Sequence, residues 1–504
     1  MLARSTHRGV DGAAGCPLVV PAPRKGDRVY GVPATRGRSW AWRNAATIAA
    51  AAITVGSAGL LTVAISAGLL DRVPLLNGDA ATVVEVLAGG GLVGSWLCAG
   101  RRWRRRALPV LLGAAVLVTG LLAATLWLTD TVTDAYPAWF GLLIAMAFTA
   151  MGGLPMMLRT PAGQPRRGAL ARARRGAAVV AVPLAAVGAL MLIDNEYGIW
   201  PQVGDLLGHT RTAGGGVLQA LHGLGRPGRA GAVPTKGVVA GLDVPGTISH
   251  FHHRSGAVYL PPAYFRAGVP DLPVLILLAG TPGVPINWIR AGGAESTADA
   301  YAATHRGVAP VLVVVDQNGS TIGDSECVDG PQGNAETFLT VDVPTFITHT
   351  LRVSRDPARW GIVGFSEGGT CALDLVVAHP DIYRHIVDLG GDTRPSLGGP
   401  QHTLTALFGG SVAAEQAHDP LRMLAARRYS RVTAWFGAGA NDNKALAAAH
   451  RVAAAATKAG ITARELTVAG AHNWQFAAAA FTQILPQLCT DMNCPDAAAG
   501  TGTP

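Results

Sequence analysis

The sequence predicts an α/β domain with a mostly parallel sheet flanked by helices, preceded by an all-α domain that crosses a membrane several times. In the first half of the chain, long apolar segments are separated by arginine-rich loops. In the second half, apolar strand-like runs alternate with helical runs. Hydrophobic residues make up 49% of the 504 residues and charged residues only 14%, which is too little charge for an ordinary water-soluble protein.

Five apolar segments in the first half are each about long enough to cross the roughly 30 Å hydrocarbon core of a bilayer. The first and third are continuous, whereas the second contains Glu85 and the fifth is the shortest. A buried core helix is the alternative interpretation, chiefly for the second and fifth. We predict a membrane domain at residues 45–193 with about five transmembrane helices: 45–70, 81–99, 107–129, 139–158 and 177–193.

The loops between these segments differ in charge, and this difference predicts their orientation. Residues 1–176 carry 20 Lys and Arg against 7 Asp and Glu, and the arginines lie mostly in 1–44, 101–106 and 159–176. Because positively charged loops remain in the cytoplasm, we predict a disordered cytoplasmic tail at 1–44 and an extracytoplasmic second half. The arginine loops are short and lie between spans, so we expect the membrane as a partner and no nucleic acid.

The second half of the chain has the composition of a linker followed by an α/β domain. Residues 194–240 are predicted as a Gly- and Pro-rich linker, 241–490 as the domain and 491–504 as a C-terminal tail. Helical runs such as 367–379 and 444–459 separate the strand-like runs. The predicted strands lie within residues 255–264, 272–283, 308–320, 360–366, 431–442 and 463–474.

The apolar run “WGIVGF” leads directly into a Gly-x-Ser-x-Gly turn and then into a helical run. A strand, this turn and a helix together expose a serine hydroxyl at the N terminus of the helix. The glycines, Gly364 and Gly368, allow the strained turn and close packing of the helix against the strand. We therefore predict that Ser366 is a nucleophile. The alternative interpretation is an ordinary small-residue turn, of which a chain with 64 glycines contains many.

A serine nucleophile requires a base, and the base requires an acid that orients it. His472 follows the last predicted strand in a glycine-containing loop, and Asp442 follows the strand before it. The resulting chain order of serine, acid and histidine is the order expected after such a turn. Asp388 and Asp392, on the strand after the helix that follows Ser366, are the rival acids.

The tetrahedral intermediate of acyl transfer requires hydrogen-bond donors that are in place before the reaction. We predict two backbone N–H groups for this oxyanion hole, that of Glu367 and that of Thr281 in the turn after “VLILLAG”. An ordinary strand-ending turn is the alternative interpretation of the second. The histidines of “HFHHR” (250–254) would face opposite sides of a strand, so we predict no metal ligands there.

With these residues identified, the second half resembles the putative esterase family of α/β-hydrolases, which includes esterase D-type enzymes and mycolyltransferases. The resemblance covers roughly residues 194–490 and is carried by “VLILLAGTPG” followed by “NW”, by “GFSEGG”, by “HPDIYRHIVDLGGD” and by “GAHNW”. The segments “VVVDQNGS” and “SECVDGPQGNAETFLTVDVP” resemble a membrane-anchored bacterial subgroup. The resemblance implies an α/β-hydrolase domain and a hydrolase or acyltransferase without a metal or organic cofactor.

Carried over by position, the resemblance implies a triad of Ser366, Asp442 and His472. In the mycolyltransferases an aspartate that helps to hold the sugar acceptor stands where this chain has Ala279. We therefore expect an extracytoplasmic, membrane-anchored serine esterase that acts on an acyl ester of a lipid or cell-envelope component. An acyltransferase acting on lipid or envelope glycan is one alternative, and an inert membrane scaffold or sensor is another. The intact order of the triad argues against inertness.

Four of the six cysteines lie in the predicted extracytoplasmic half. An even number of cysteines outside the cytoplasm predicts two disulfide bonds. Cys371 follows Ser366 by five residues, and Cys327 lies in the loop after a strand that we expect beside the strand of Ser366. We predict one bond between these two residues and a second between Cys489 and Cys494, which are close in sequence; buried free thiols are the alternative.

Overall fold

The computed structural model describes residues 233–495 and isolated positions between residues 86 and 203. The predicted tail 1–44, the five predicted transmembrane helices and most of the predicted linker lie outside the described residues. Within the part of the chain that is described, no helix combines the length and the apolar character needed to cross a bilayer. The all-α membrane domain therefore remains a prediction from the sequence.

The strands form a large mixed sheet and a separate hairpin. In chain order they are β1 Val238–Leu242, β2 Gly256–Leu260, β3 Val274–Leu278, β4 Val311–Val314, β5 Asp329–Gly330, β6 Gly333–Asn334, β7 Trp360–Phe365, β8 His385–Leu389, β9 Thr433–Gly439 and β10 Thr462–Val468. The large sheet has the order β1-β2-β4-β3-β7-β8-β9-β10, and β5 pairs with β6. The β1–β2 and β2–β4 pairs are antiparallel, and the other pairs of the large sheet are parallel, which confirms the predicted mostly parallel sheet.

Helices connect the parallel strands, as parallel pairing requires. They are α1 Asn287–Arg290, α2 Ala294–Thr304, α3 Ala335–Thr337, α4 Val343–Thr350, α5 Glu367–Ala378, α6 Pro400–Phe408, α7 Val412–Ala417, α8 Pro420–Ala426, α9 Asn443–Lys458 and α10 Trp474–Asp491. Short 3₁₀ segments lie at Pro262–Phe265 and Pro357–Arg359, and a π-helical segment lies at Phe338–Asp342.

The central strands of the sheet are buried on both faces, because helices cover each side. Along β3, Val274 and Ile276 pack with α5 and α9 in one apolar cluster, whereas Leu275 and Leu277 pack with α2 and α10 in another. Successive side chains of a strand face opposite sides, so this division follows from the period of the strand. A continuous apolar run such as “VLILL” is therefore what a central strand of this sheet requires.

The structure corrects several predicted boundaries. The sheet already begins at β1, so the last residues of the predicted linker 194–240 belong to the domain. The predicted strand at 308–320 is only four residues long, because the polar residues after Val315 form a loop. Helix α10 ends at Asp491, one residue beyond the predicted end of the domain. The predicted helical runs 367–379 and 444–459 correspond closely to α5 and α9.

Both cysteine pairs named from the sequence are bonded in the structure. The Cys327–Cys371 bond joins the loop after β4 to α5, and both residues are fully buried. The Cys489–Cys494 bond joins the last turn of α10 to the residues that follow it. The first bond crosslinks two elements of the core, whereas the second closes a short local loop.

The two disulfide bonds should contribute unequally to stability. In the chain-entropy model, a bond that closes a longer loop removes more entropy from the unfolded chain. The sequence separations are 44 and 5 residues. We expect Cys327→Ala/Cys371→Ala to lower the free energy of unfolding by about 4 kcal/mol and Cys489→Ala/Cys494→Ala by about 2 kcal/mol. Urea denaturation of the two variants and the wild type measures both values, and equal losses would contradict the prediction.

Candidate active site

Ser366 lies on the sharp turn between β7 and α5. Its backbone has φ 58° and ψ −124°, a conformation that non-glycine residues seldom adopt. A Cβ at Gly364 would lie 1.7 Å from the Gly368 carbonyl oxygen, and a Cβ at Gly368 would lie 2.3 Å from the Leu278 carbonyl oxygen. Both glycines are therefore required for the helix to pack this closely against β7 and β3. The turn leaves the Ser366 side chain partly exposed at the carboxyl edge of the sheet.

The structure brings the three predicted triad residues together from three separate loops. The Nε2 atom of His472 lies 2.8 Å from the Ser366 Oγ, and its Nδ1 atom lies 2.7 Å from the Asp442 Oδ2. The Asp442 carboxylate accepts a hydrogen bond from Nδ1–H, so the proton of the neutral imidazole lies on Nδ1 and the Nε2 lone pair can accept the serine proton. The arrangement has the geometry of a nucleophile, a general base and an orienting acid.

Asp442 is held in its position and in its ionised form by its neighbours. Its second oxygen accepts a hydrogen bond from the backbone N–H of Ala445 at 3.0 Å, so Asp442 also caps the N terminus of α9. Burial opposes ionisation, but the hydrogen bonds from His472 and Ala445 outweigh it and lower the pKa of Asp442. An ionised Asp442 is the form that stabilises the imidazolium ion of His472 during proton transfer.

The rival acids Asp388 and Asp392 occupy other positions. Asp388 is buried on β8 and accepts a hydrogen bond from the Gly391 N–H at 2.8 Å, and Asp392 pairs with Lys444 at 3.1 Å. Burial raises the pKa of Asp388 to about 7. The charge of Asp392 also raises this pKa, whereas the hydrogen bond from the Gly391 N–H and the charge of His472 lower it. Asp442, and neither rival, makes the 2.7 Å contact with His472 Nδ1.

The two predicted oxyanion donors belong to segments that adjoin the nucleophile. Glu367 is the first residue of α5. The turn that carries Thr281 lies against Ser366, as shown by Gly280, where an added Cβ would lie 2.8 Å from the Ser366 Cβ. The Thr281–Pro282 peptide bond is cis. Among residues 233–495, neither the Thr281 N–H nor the Glu367 N–H donates a hydrogen bond to another protein group. Both groups are thus available to a developing oxyanion.

Sequence reasoning missed a polar network beneath this turn. Arg254 forms a two-point ion pair with buried Asp316, at 2.7 Å and 2.9 Å, and donates to the Gly283 carbonyl at 3.1 Å. Gln317 and Asn318 each donate to the Glu367 carboxyl group at 2.9 Å. Arg254 lies in “HFHHR”, and the other three residues, Asp316, Gln317 and Asn318, lie in “VVVDQNGS”. Both segments were noted in the sequence, but no role was predicted for these side chains.

Other candidate features have structural roles. Among the described residues, the group that could offer three close metal ligands is Cys327, Cys371 and Glu367, but its two sulfur atoms are bonded to each other. Trp288 is fully buried and packs edge-to-face on Trp474 at 5.4 Å. Both tryptophans therefore belong to the core.

The contrast between Asp442 and Asp388 can be tested by the same substitution. Asp442→Asn should lower kcat by about 10²–10⁴-fold, because the amide no longer favours the required form of His472. Asp388→Asn should leave kcat within about threefold of wild type, as its carboxyl group does not bond to the His472 Nδ1. Comparable losses in both variants, measured by steady-state kinetics, would contradict the assignment.

Asp388→Asn should also change how stability depends on pH. A pKa raised from an ordinary value of about 4 means that the folded state binds the proton more tightly than the unfolded state. The stabilisation of the fold by protonated Asp388 is therefore fully present below about pH 4 and is lost as the pH rises through 7. The free energy of unfolding of Asp388→Asn relative to wild type should rise by about 2–3 kcal/mol between pH 5 and pH 8. A difference that stays constant with pH would contradict this.

Comparison with known proteins agrees with the geometry. Residues 251–488 match the family model described as putative esterase. An uncharacterised protein of Corynebacterium glutamicum is 35% identical over 233 residues, which are 45% of this chain and 55% of that protein. The chain thus spans about half the length of this relative.

Two solved structures resemble the domain at low sequence identity. A ferulic acid esterase is 19% identical, with a TM-score of 0.44, and the match covers 51% of this chain and 99% of that one. An S-formylglutathione hydrolase from Agrobacterium tumefaciens is 18% identical, with a TM-score of 0.42, and the match covers 52% of this chain and 98% of that one. Over residues 251–488, the chain is thus similar to the putative esterase family.

Proposed function

We propose that this protein is a serine esterase, anchored in the cell membrane by several spans, whose catalytic domain lies outside the cytoplasm. The hydrogen-bonded series from Asp442 through His472 to Ser366 carries the catalytic part of this proposal. It supplies a nucleophile, a base and an orienting acid in one connected arrangement beside two unused backbone N–H groups.

The reaction begins when the Ser366 Oγ attacks the carbonyl carbon of an acyl ester and His472 Nε2 takes the hydroxyl proton. The carbonyl oxygen becomes an oxyanion that accepts hydrogen bonds from the N–H groups of Thr281 and Glu367. His472 then gives the proton to the alcohol oxygen, the ester bond breaks, and an acyl-Ser366 remains. A water molecule, deprotonated by His472, attacks this intermediate and releases the acid, and the serine recovers its proton.

The residue beside the oxyanion turn favours water as the acceptor. Ala279 is buried, and its carbonyl accepts a hydrogen bond from Gln317 Nε2 at 2.5 Å. Its methyl side chain cannot bind the hydroxyl groups of a sugar acceptor. An acyltransferase that uses an envelope lipid or glycan is the second candidate, because the same acyl-Ser366 could be released to another alcohol.

An extracytoplasmic position is supported by the disulfide bonds and by the distribution of arginines. Disulfide bonds persist mainly in oxidising compartments, and this domain holds two of them. The arginine-rich loops would remain in the cytoplasm, so an odd number of spans would bring the domain to the opposite side. A Gly-rich chain of about 45 residues has a root-mean-square reach of about 35–40 Å. Such a linker would keep the site near an acyl ester at the membrane surface.

Ser366→Ala should lower ester hydrolysis by at least about 10³-fold, because the substitution removes the hydroxyl that forms the acyl-enzyme. Release of free acid from a labelled lipid ester and from a p-nitrophenyl ester measures the loss. Ser296→Ala, which removes an exposed hydroxyl on α2, is the matched control and should retain full activity. The same assay with added glycan or lipid alcohol separates the two candidates. Turnover that depends on the acceptor and yields little free acid would replace the esterase by a transferase.

The proposed orientation predicts the behaviour of fusions at two positions. A reporter enzyme that is active only outside the cytoplasm should be active when fused after Pro504 and silent when fused after Arg106, because five spans separate the cytoplasmic tail from the domain. Reporter activity per quantity of fusion protein measures the outcome. A reporter of the opposite compartment preference, fused at the same positions, is the control. An active extracytoplasmic reporter after Arg106 would overturn the span count.

A further inference from the structure

The side chain of Glu367 lies beneath the proposed catalytic site and joins elements on both sides of it. Glu367 is the first residue of α5 and directly follows Ser366, and it is buried. Its Oε2 atom accepts two hydrogen bonds, from Gln317 Nε2 and Asn318 Nδ2, each at 2.9 Å. Both donors lie in the loop after β4, about fifty residues earlier in the chain.

Each donor amide uses its two hydrogens on different elements. Gln317 Nε2 also donates to the Ala279 carbonyl at 2.5 Å, and Asn318 Nδ2 also donates to Thr281 Oγ1 at 2.8 Å. The Thr281 hydroxyl in turn donates to the Gly323 carbonyl at 2.7 Å. A primary amide has two donor hydrogens, so both amides are fully used. The Glu367 carboxyl group is thereby connected, through Asn318, to the residue that carries the other oxyanion donor.

The remaining oxygen of Glu367 indicates which form the carboxyl group takes. Oε1 lies 3.5 Å from the Cys371 sulfur, which is bonded to Cys327 and carries no hydrogen. A hydrogen bond at this contact therefore requires a proton on Oε1. A neutral carboxylic acid satisfies every contact, since Oε2 accepts from two amides and Oε1–H donates to sulfur.

The surroundings of Glu367 also favour the neutral form. Burial raises the pKa of Glu367 well above its usual range, the charges of Asp324 and Asp316 raise it further, and the amides of Gln317 and Asn318 oppose the rise. Glu326 is equally buried, and burial, Asp324 and Glu367 raise its pKa too. Arg254 is paired with Asp316, so its charge is already balanced. The charge of Asp392, on the loop after β8, also raises the pKa of Glu326.

We propose that Glu367 is a positioning residue, whose carboxyl group acts through Asn318 to hold the Thr281 turn at a fixed separation from the N terminus of α5. The proposal rests on the proposed function, because the separation matters only if both N–H groups bind the same oxyanion. Oxyanion donors act by being in place before charge develops, so a small displacement of Thr281 lowers kcat and not the affinity for the ester.

Two substitutions at Glu367 distinguish positioning by a neutral group from other roles. Glu367→Gln preserves an oxygen that accepts from both amides and an N–H that donates to sulfur, so kcat should remain within about threefold of wild type. Glu367→Ala removes the connection, and kcat should fall about 10–100-fold with KM within about twofold. The rate at which a fluorophosphonate reacts with Ser366 should fall in parallel, because its phosphoryl oxygen occupies the same oxyanion hole.

Two further variants test the connection itself and remain informative if Glu367→Ala does not fold. Thr281→Val keeps the backbone N–H but removes the hydroxyl contact, and Asn318→Ala removes the link, so each should lower kcat about 10–100-fold. The Asn318→Ala/Thr281→Val double variant should be no slower than the slower single variant, because both break the same connection. Asn334→Ala is the matched control, since Asn334 also links two loops, through the Ser249 carbonyl at 2.8 Å. It should retain wild-type kcat.

The outcomes separate this inference from the function on which it rests. Full activity in Ser366→Ala would overturn the proposed function. If Ser366 is required, unchanged kcat in Asn318→Ala and Thr281→Val, or a change in KM alone, would overturn the positioning role. Equal losses in Glu367→Gln and Glu367→Ala would show that the neutral acid is not the active form and would also overturn the proposal.

Discussion

The sharp turn at Ser366 is the constraint on which the rest of the site depends. A non-glycine residue held at φ 58° is strained, and such a conformation persists only where the surroundings enforce it. Here the enforcement comes from the contact of Gly364 with the Gly368 carbonyl and of Gly368 with the Leu278 carbonyl, neither of which leaves room for a Cβ. Replacement of either glycine would push α5 away from the sheet and move the nucleophile.

The parallel sheet determines where the partners of Ser366 can lie. Strands β3, β7, β9 and β10 are parallel, so their carboxyl ends lie at one edge, and the loops that follow them carry Thr281, Ser366, Asp442 and His472. Apolar clusters on both faces of the sheet pack the strands that lead to this edge. The buried Cys327–Cys371 bond then fastens the loop after β4 to α5, one helical turn beyond Glu367. The polar network beneath the turn is thus attached to both the sheet and the helix.

Much of the site could be predicted because its signals are local in sequence. The turn at Ser366 has its own motif, and Asp442 and His472 follow late strands that the sequence marks by apolar runs. The Cys327–Cys371 pairing is confirmed, but the strand arrangement from which it was predicted is wrong, because β3 lies between β4 and β7 in the sheet. The loop after β4 reaches α5 across the end of β3.

The remainder depends on tertiary packing that no local pattern encodes. Strand β1 lies at the edge of the sheet and contains small residues, so “VVAGL” resembles the Gly-rich stretch before it. The bonds from Gln317 and Asn318 to Glu367 depend on the neighbouring positions of β3, β4 and β7 in the sheet. Asp388 could be named as a rival acid from the sequence, but its burial and its bond to Gly391 emerge only in the folded chain.

The central claim, that Ser366 is an activated nucleophile, is tested most directly by locating a covalent adduct. The full chain would be incubated with a fluorophosphonate, and the adduct counted by intact mass and located by peptide mapping. The triad geometry predicts one adduct per chain, on the peptide that contains Ser366, and a strongly reduced rate of labelling in His472→Ala. An adduct on any other residue, or no adduct in folded protein, would contradict the account.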